Sequence, residues 1–211
     1  MTGRLLAVSV VHAPIPDSSG QDEQTAIDKR PVTGRVAVHR LGVGGDRQCD
    51  TRHHGGPDKA VYAYAGEDAA WWAGELGREV PPGRFGENLT TTGVDVTGAV
   101  IGERWRVGTV ELRVRSPRIP CRTFQAFWDV PQLVKRFTVH GAPGAYLAVV
   151  REGELGAGDD VEVVDRPGHG LTVGEVFRGW TTDRALLRRV AVCADVPATD
   201  RDVARRRLTA R

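Results

Sequence analysis

The chain has 211 residues, of which 40% are hydrophobic and 27% are charged. This length allows one good-sized domain and a small additional unit. The formal net charge of +2 is too small to indicate a nucleic-acid-binding protein, and the sequence has no block of like charges long enough to form a binding tail.

Cysteine usage bears on the cellular compartment. Cys49, Cys121 and Cys193 are odd in number and occur singly, so they do not form a disulfide framework. We therefore expect a reducing compartment and a cytoplasmic protein. The apolar run at residues 5–11 is too short to cross a membrane and lacks a convincing signal cleavage site, so we interpret it as the first strand.

The elements predicted up to residue 165 are mostly short strands. Strands are predicted from alternating or short apolar runs at 5–11, 35–41, 60–65, 146–150 and 161–164, with hairpins across 94–114. One helix is predicted at 66–77, with Trp71, Trp72 and Leu76 on its buried side. This pattern predicts a mixed α/β, mainly β chain whose first domain, residues 1–165, is a closed or nearly closed barrel.

The pattern changes to helical after residue 170. Helices are predicted at 172–179, 183–193 and 199–210, with Thr182 or Asp183 as the candidate N-cap of the second and Thr199 as that of the third. They make a small C-terminal three-helix domain, residues 170–211, which is too small to be stable without packing on the barrel.

The segment 45–60 surrounds a Gly-Gly-Pro turn with charged and imidazole groups. Backbone N–H groups in such a turn can approach a ligand closely, with His54, Asp58 and Lys59 at its rim. A solvated hairpin loop would show the same pattern. A zinc site of Cys49 with the two adjacent histidines lacks the usual second ligand pair.

Two other loops offer ligand groups. Lys29 and Arg30 form a basic pair that could anchor a phosphate, although a solvated surface pair is the default interpretation. Asn88 follows Glu87 in a glycine-containing loop, where both side chains could turn inward to bind polar ligand atoms. A simple turn closed by the asparagine amide is the alternative.

The segment 116–121 holds a cysteine in a stiff stretch of backbone. Pro117 and Pro120 fix an extended path that carries Arg118 and Cys121 together. A nearby arginine favours the thiolate, which is the form that binds metals. A lone cysteine is more often buried and inert, and a nucleophilic pair of Cys121 with His54 is a further alternative.

Seven short motifs occur together and in order. They are Lys29-x-Pro31-Val32, Gly45-Asp46-x-Gln48-x-Asp50, the run from His54 to Val61, Gly83-x-Phe85-Gly86-Glu87-Asn88-Leu89, Ile101-Gly102-Glu103-Arg104, Pro117-Arg118-x-Pro120-Cys121, and Glu152-Gly153 with Gly158-Asp159. As a set they resemble the MOSC family, named for the C-terminal domain of molybdenum cofactor sulfurase, and within it the stand-alone bacterial YiiM-type branch. The resemblance covers about residues 1–165, and the tail resembles the three-helix extension of that branch.

The resemblance implies a MOSC-type β-barrel that binds the molybdenum cofactor, an anionic molybdopterin that ends in a phosphate. It implies that Cys121 is the catalytic residue and the molybdenum ligand. From the chemistry of the side chains we assign the remaining cofactor-binding roles to Lys29, His54, Lys59, Asn88 and Arg118. The branch usually has an arginine where this chain has Ala148, so one expected cation is missing.

The resemblance also implies an activity, with alternatives. The leading interpretation is a molybdenum-dependent oxidoreductase that reduces N-hydroxylated compounds. Because the sequence has no Fe–S cysteine set or flavin fingerprint, the electrons would come from a separate donor protein. A sulfur carrier with a persulfide on Cys121 is the second interpretation, although the chain lacks a pyridoxal-phosphate desulfurase domain. A binding or storage module is the third. The sequence leaves open whether the protein forms a homodimer. Neither nucleic acid nor a membrane is expected as a partner.

Overall fold

The computed structural model describes residues 2–20, 23–49 and 55–210. Its strands are β1 Thr2–Val11, β2 Ile15–Pro16, β3 Gln24–Thr25, β4 Lys29–Pro31, β5 Arg35–His39, β6 Gly42–Val43, β7 Val61–Ala65, β8 Leu89–Thr92, β9 Arg104–Val107, β10 Val110–Pro117, β11 Ala145–Arg151, β12 Gly153–Gly156 and β13 Asp160–Asp165. Its helices are α1 Gly66–Leu76, α2 Arg122–Trp128, α3 Leu133–His140, α4 Val173–Thr181, α5 Leu187–Val192 and α6 Ala198–Thr209, with 3-10 turns at Pro57–Lys59 and Arg184–Leu186.

Seven of the strands close into a barrel. Their order around the barrel is β1, β13, β9, β10, β11, β7 and β8, and β8 pairs with β1 to complete the ring. The β7–β8 pair is parallel and the other pairs in the ring are antiparallel. The end of β1 also pairs with β4. The predicted mainly β, mixed α/β barrel with C-terminal helices is therefore confirmed.

Strand β7 is buried on both of its faces. Val61 and Ala63 belong to the apolar cluster that fills the barrel, whereas Tyr62 and Tyr64 belong to an aromatic cluster on its outside. Successive side chains of a strand point to opposite faces, so a strand covered on both sides is apolar along its whole length. This explains the continuous apolar run that predicts the strand.

Helices α1, α2 and α3 supply the outer aromatic cluster. Phe85 lies at its centre, with ring centroids 4.3 Å from Tyr64 and 4.9 Å from Trp128. Trp72 is fully buried here, but Trp71 is 46% exposed and stacks on His140 at 3.8 Å. The predicted burial of Trp71 is wrong, because adjacent helical residues are about 100° apart and only one of the two can face this cluster.

The C-terminal helices pack on the barrel as expected for so small a unit. Leu187, Val190 and Ala204 belong to the same hydrophobic cluster as the barrel interior. Asp183 caps the 3-10 turn before α5 by accepting a hydrogen bond from Ala185 N. Thr199 is not a cap, because α6 begins one residue earlier and its N-cap is Pro197. In the described part of the chain, every helix is too short or too polar to cross a bilayer.

Candidate functional site

A cavity that is open to solvent lies on the outer face of the barrel beside Tyr62 and Tyr146. It receives side chains from loops that are far apart in sequence. The described residues that line it are Gln24, Thr25, Ala26, Ile27, Lys29, Asp46, Arg47, Gln48, Cys49, Lys59, Ala60, Tyr62, Phe85, Gly86, Asn88, Arg118, Cys121, Thr123 and Tyr146. Its mixture of aromatic and polar groups is typical of a small-molecule or cofactor site.

Arg118 and Cys121 enter the cavity from the segment between β10 and α2. The strand ends at Pro117, and Cys121 is the N-cap residue of α2, with an extended backbone. Cys121 is partly buried. The alternative interpretation, an inert cysteine, would have it fully enclosed. The proline-stiffened segment therefore presents a thiol and a guanidinium group to one space, as the sequence predicts.

The guanidinium group of Arg118 is buried and forms no ion pair with the described residues. The residue is 4% exposed, and its Nη1 atom has no hydrogen-bond partner among the described residues. Its guanidinium carbon lies 4.0 Å from the ring centroid of Phe124, which offsets part of the cost of burial. A buried cation with an unused donor in a cavity is an arrangement that an anionic ligand would complete.

Asp46 is the centre of a hydrogen-bonded group on the opposite wall. It forms an ion pair with Lys29 and accepts hydrogen bonds from Asn88 Nδ2 at 2.7 Å and from Val11 N at 2.9 Å. The charge of Lys29 is thus offset by Asp46. Asn88 also accepts from Tyr62 N at 3.1 Å and donates to Ser9 O at 3.2 Å, so its amide holds the wall together.

Lys59 reaches the cavity from the 3-10 turn Pro57–Lys59. Its Nζ atom lies 5.7 Å from the ring centroid of Tyr146. The side chain of Gln48 stabilises the turn by accepting a hydrogen bond from Gly56 N at 2.9 Å and donating one to Lys59 O at 3.4 Å. Gly56 has a φ of 90°, a conformation that favours glycine over other residues.

The loop between α1 and β8 is held by a buried carboxylate. Glu87 accepts hydrogen bonds from Gly83 N at 2.6 Å, Phe85 N at 2.9 Å and Thr90 Oγ1 at 2.9 Å. Burial raises the pKa of Glu87, although these donors oppose the shift. Gly83 must be glycine, because its φ is 86° and a Cβ atom there would lie 2.4 Å from Lys29 O. Glu87 therefore positions the loop and does not face the cavity as a ligand.

The β2–β3 hairpin contributes a third part of the cavity lining. Its strand β3 and the residues that follow it line the cavity. Asp17 fastens the hairpin to α2 by accepting from Thr123 Oγ1 at 3.0 Å, and Ser19 Oγ donates to the same carboxylate oxygen at 2.9 Å. Asp17 is 8% exposed. The hairpin and Cys121 therefore contribute to the lining of the same cavity.

The structure brings together most of the predicted site residues. Lys29, Lys59, Asn88, Arg118 and Cys121 all line the one cavity, and their roles as ligands stay predictions. His54 lies outside the described residues. The sequence interpretation did not assign Cys49 a cofactor-binding role, yet the residue lines the cavity, and its place inside the motif Gly45-Asp46-x-Gln48-x-Asp50 was the available signal.

Ala148, where an arginine was expected, does not line the cavity. It lies on β11 opposite Arg113 of β10, two residues beyond Tyr146.

A second set of potential metal ligands lies away from the cavity. His169, Cys193 and Asp195 have donor atoms within 4.8 Å of one another, the only such set among the described residues. However, His169 Nδ1 accepts from Leu171 N at 3.0 Å, which assigns the proton to Nε2, and Ile101 O accepts from Nε2 at 3.0 Å. The imidazole is therefore engaged on both sides in joining the barrel to the C-terminal helices.

The chain is similar in sequence to a known family and to several known proteins. The MOSC domain family matches residues 50–162. The uncharacterized protein YflK of Bacillus subtilis (strain 168) is 34% identical over 73% of this chain and 70% of its own length. Protein YiiM of Escherichia coli (strain K12) is 31% identical over 69% of this chain and 66% of its own length. A protein of Gibberella moniliformis named Reductase is 31% identical over 90% of this chain, which spans only 35% of that protein.

Solved structures share the fold. The crystal structure of YiiM from Geobacillus stearothermophilus superposes with a TM-score of 0.80 at 26% identity, covering 98% of this chain and 100% of that one. The structure of YiiM from Escherichia coli gives a TM-score of 0.74 at 25% identity, covering 98% and 92%.

Proposed function

Because the chain belongs to the MOSC domain family, we propose that its cavity binds the molybdenum cofactor with Cys121 as the protein ligand of the metal. The observation that carries the proposal is the shared position of Cys121 and Arg118 in one cavity. A thiol offers a soft sulfur ligand, and a buried guanidinium group with an unused donor offers a partner for an anionic pterin.

The residues present fit such a group. Arg118 would hold an anionic oxygen through Nη1, which lacks a partner among the described residues. Lys59 supplies a second cation across the cavity. Asp46, Lys29 and Asn88 form a neutral, internally bonded wall that fixes the shape of the pocket. Tyr62 donates its hydroxyl to Pro143 O at 2.8 Å, and burial raises the pKa of this phenol, which keeps it neutral.

We further propose that the loaded protein is an oxidoreductase that acts on N-hydroxylated compounds. When bound, the cofactor would supply the redox chemistry, while the chain binds, orients and encloses the reactants. The fungal relative named Reductase supports a reductive reaction. The 211 residues contain only three cysteines, all single, so we propose that a donor outside these residues supplies the electrons.

Metal analysis tests the cofactor assignment. Protein purified from a molybdenum-replete host should contain molybdenum and release a pterin, and Cys121→Ser should lose most of the metal. Cys193→Ser is the matched control, because Cys193 is also partly buried but lies at the end of α5, away from the cavity. Equal molybdenum in both variants, or none in the wild type, would overturn the assignment.

Activity is tested separately with a chemical electron donor. The loaded wild type should reduce an aromatic hydroxylamine with reduced viologen, whereas loaded protein that reduces no N-hydroxylated compound would contradict the oxidoreductase proposal. A chemical donor avoids any need to identify the natural one.

Sulfur transfer is the second candidate, and one observation favours it. Cys49 and Cys121 line the same cavity, so the thiolate of one could attack the outer sulfur of a persulfide that the other has received from a separate sulfur donor. The S–S bond of the first persulfide then breaks, a new persulfide forms on the attacking cysteine, and the first cysteine leaves as a thiolate. Intact-protein mass spectrometry should then show one additional sulfur atom, mapped to Cys121, in protein that contains no molybdenum. Wild-type protein with bound molybdenum and no persulfide would exclude this candidate.

A further inference from the structure

The C-terminal helices contact the barrel through two arginines of β10. Arg113 forms an ion pair with the side chain of Asp195, in the loop between α5 and α6. Arg115 donates from Nη1 to the backbone oxygen of the same residue at 2.6 Å. One loop of the helical unit thus engages two neighbouring cations on the barrel wall.

Arg115 also contacts the turn that carries Lys59. Its Nε atom donates to Asp58 Oδ1 at 2.7 Å, and its side chain is only 14% exposed. A charge-assisted hydrogen bond in this partly buried position is stronger than one on the open surface. Asp58 precedes Lys59 directly within the 3-10 turn, so Arg115 connects the C-terminal unit to the cavity wall.

The turn itself has little intrinsic stability. It is a single 3-10 turn of three residues that begins after Gly56 and has no side-chain cap. Short 3-10 segments have poorer hydrogen-bond geometry than an α-helix and depend on their surroundings. Its position therefore depends on the groups that hold it, and these include Gln48 and Arg115 among the described residues.

A second residue of the C-terminal unit reaches the same place. Asp200, in the first turn of α6, is partly buried and interacts electrostatically with Lys59, Asp58 and Arg115. Burial raises the pKa of Asp200. Two acidic residues of the C-terminal helices therefore face basic residues of the barrel, which is the charge complementarity expected of a built interface.

We propose that Arg115 is a positioning residue that couples the C-terminal helices to Lys59 and thereby sets how well the cavity holds an anion. The contact between Arg115 and Asp58 stands on geometry alone, whereas its consequence for the cofactor rests on the proposed function. The C-terminal helices then belong to the binding site, in addition to covering the barrel.

Amine labelling tests the coupling without any cofactor. The chain has only three lysines, Lys29, Lys59 and Lys135, so peptide mass spectrometry can follow each one. In full-length protein from cells grown without molybdate, Arg115→Gln should raise the labelling rate of Lys59 severalfold, because the released turn exposes its ammonium group. Lys135, exposed on α3, serves as the internal reference.

Arg113→Gln is the matched control. It removes a contact to the same Asp195 but does not touch Asp58, so it should leave the labelling of Lys59 unchanged. Asp58→Asn breaks the contact from the other side and should reproduce the effect of Arg115→Gln, and Arg115→Lys should restore part of the protection. Equal labelling in the Arg113 and Arg115 variants, or unchanged labelling of Lys59 in both Arg115→Gln and Asp58→Asn, would overturn the proposal.

Molybdenum content gives the second readout. In a replete host, Arg115→Gln should lower the metal content severalfold relative to Arg113→Gln. If labelling changes while molybdenum is absent even from the wild type, the coupling stands and the proposed function fails. If the wild type binds molybdenum while the labelling of Lys59 does not change in Arg115→Gln and Asp58→Asn, the proposed function stands and the coupling fails.

Discussion

Asn88 donates a hydrogen bond to Asp46 across 2.7 Å, and the same amide bridges β1 and β7. Its nitrogen donates to Ser9 O and to Asp46, and its oxygen accepts from Tyr62 N. The side chain, which is 2% exposed, therefore joins the cavity wall to two barrel strands. Asn88 therefore lines the cavity, but both polar atoms of its amide already have hydrogen-bond partners within the protein.

Replacing Asn88 should consequently destabilise the fold. Asn88→Ala leaves a buried N–H and a buried carbonyl without partners, which should lower the free energy of unfolding by about 2–4 kcal/mol. Urea denaturation followed by fluorescence measures the change. Loss of molybdenum with unchanged stability would instead show that Asn88 acts mainly as a ligand.

Arg118 should behave in the opposite way. An uncompensated buried charge is costly, so Arg118→Met should leave the free energy of unfolding of the metal-free protein within about 1 kcal/mol of the wild type, or raise it. The same change should sharply reduce molybdenum content, because the cavity loses its buried cation.

The control is Arg122→Met, which changes an exposed arginine in the first turn of α2. Its stability and metal content should both match the wild type. A loss of about 3–5 kcal/mol in Arg118→Met would show that Arg118 has a structural partner, since that is the usual cost of breaking a buried pair.

The sequence predicts the barrel strands well where burial alone decides them. The apolar run at residues 60–65 predicts β7, and the structure places the strand at Val61–Ala65. Strand β8, Leu89–Thr92, was missed because the predicted glycine-containing loop extends into its start. Helices α2 and α3 were missed because they are short and are separated by Asp129 and Gln132, both in the left-handed conformation.

The site is predictable only as a set of segments. The motifs identify which residues meet, and five of the six assigned residues line one cavity. They do not show that Lys29 is paired with Asp46, because that contact arises from the pairing of β1 with β4 and from the path of the loop after β6. Partner choice is a tertiary property, so a cation in a motif cannot be distinguished beforehand as paired or unpaired.

Asp68 should make stability depend on pH. Burial, followed by the charges of Glu67 and Asp95, raises the pKa of Asp68 to about 6, whereas an unfolded aspartate titrates near about 3.9. His140, 3.9 Å away, does not offset the charge at neutral pH, because burial lowers the pKa of that imidazole. The folded state thus binds the Asp68 proton more tightly, and this contribution to stability is present below about pH 4 and lost as pH rises through 6.

The variant Asp68→Asn removes this titration. Relative to the wild type, its free energy of unfolding should rise between pH 4 and pH 7 by about 1–2 kcal/mol, after allowing for solvent screening of a partly exposed group. The control Asp202→Asn, at an exposed carboxylate of α6, should show no such trend. A pH-independent difference for Asp68→Asn would contradict the raised pKa.

The β2–β3 hairpin should control access to Cys121. Thr123→Val removes the hydroxyl that donates to Asp17 at 3.0 Å and leaves a partly buried carboxylate with one donor fewer. This should cost about 1 kcal/mol in the free energy of unfolding and loosen the hairpin. Alkylation of Cys121 by iodoacetamide, followed by peptide mass spectrometry, should then be severalfold faster, with Cys193 as the internal reference.

Thr138→Val is the matched control, because that hydroxyl donates to Val134 O within α3, away from the hairpin. If Cys121 reacts at the same rate in both variants, the hairpin does not restrict access to the thiol, and the cavity is open to a ligand from another side.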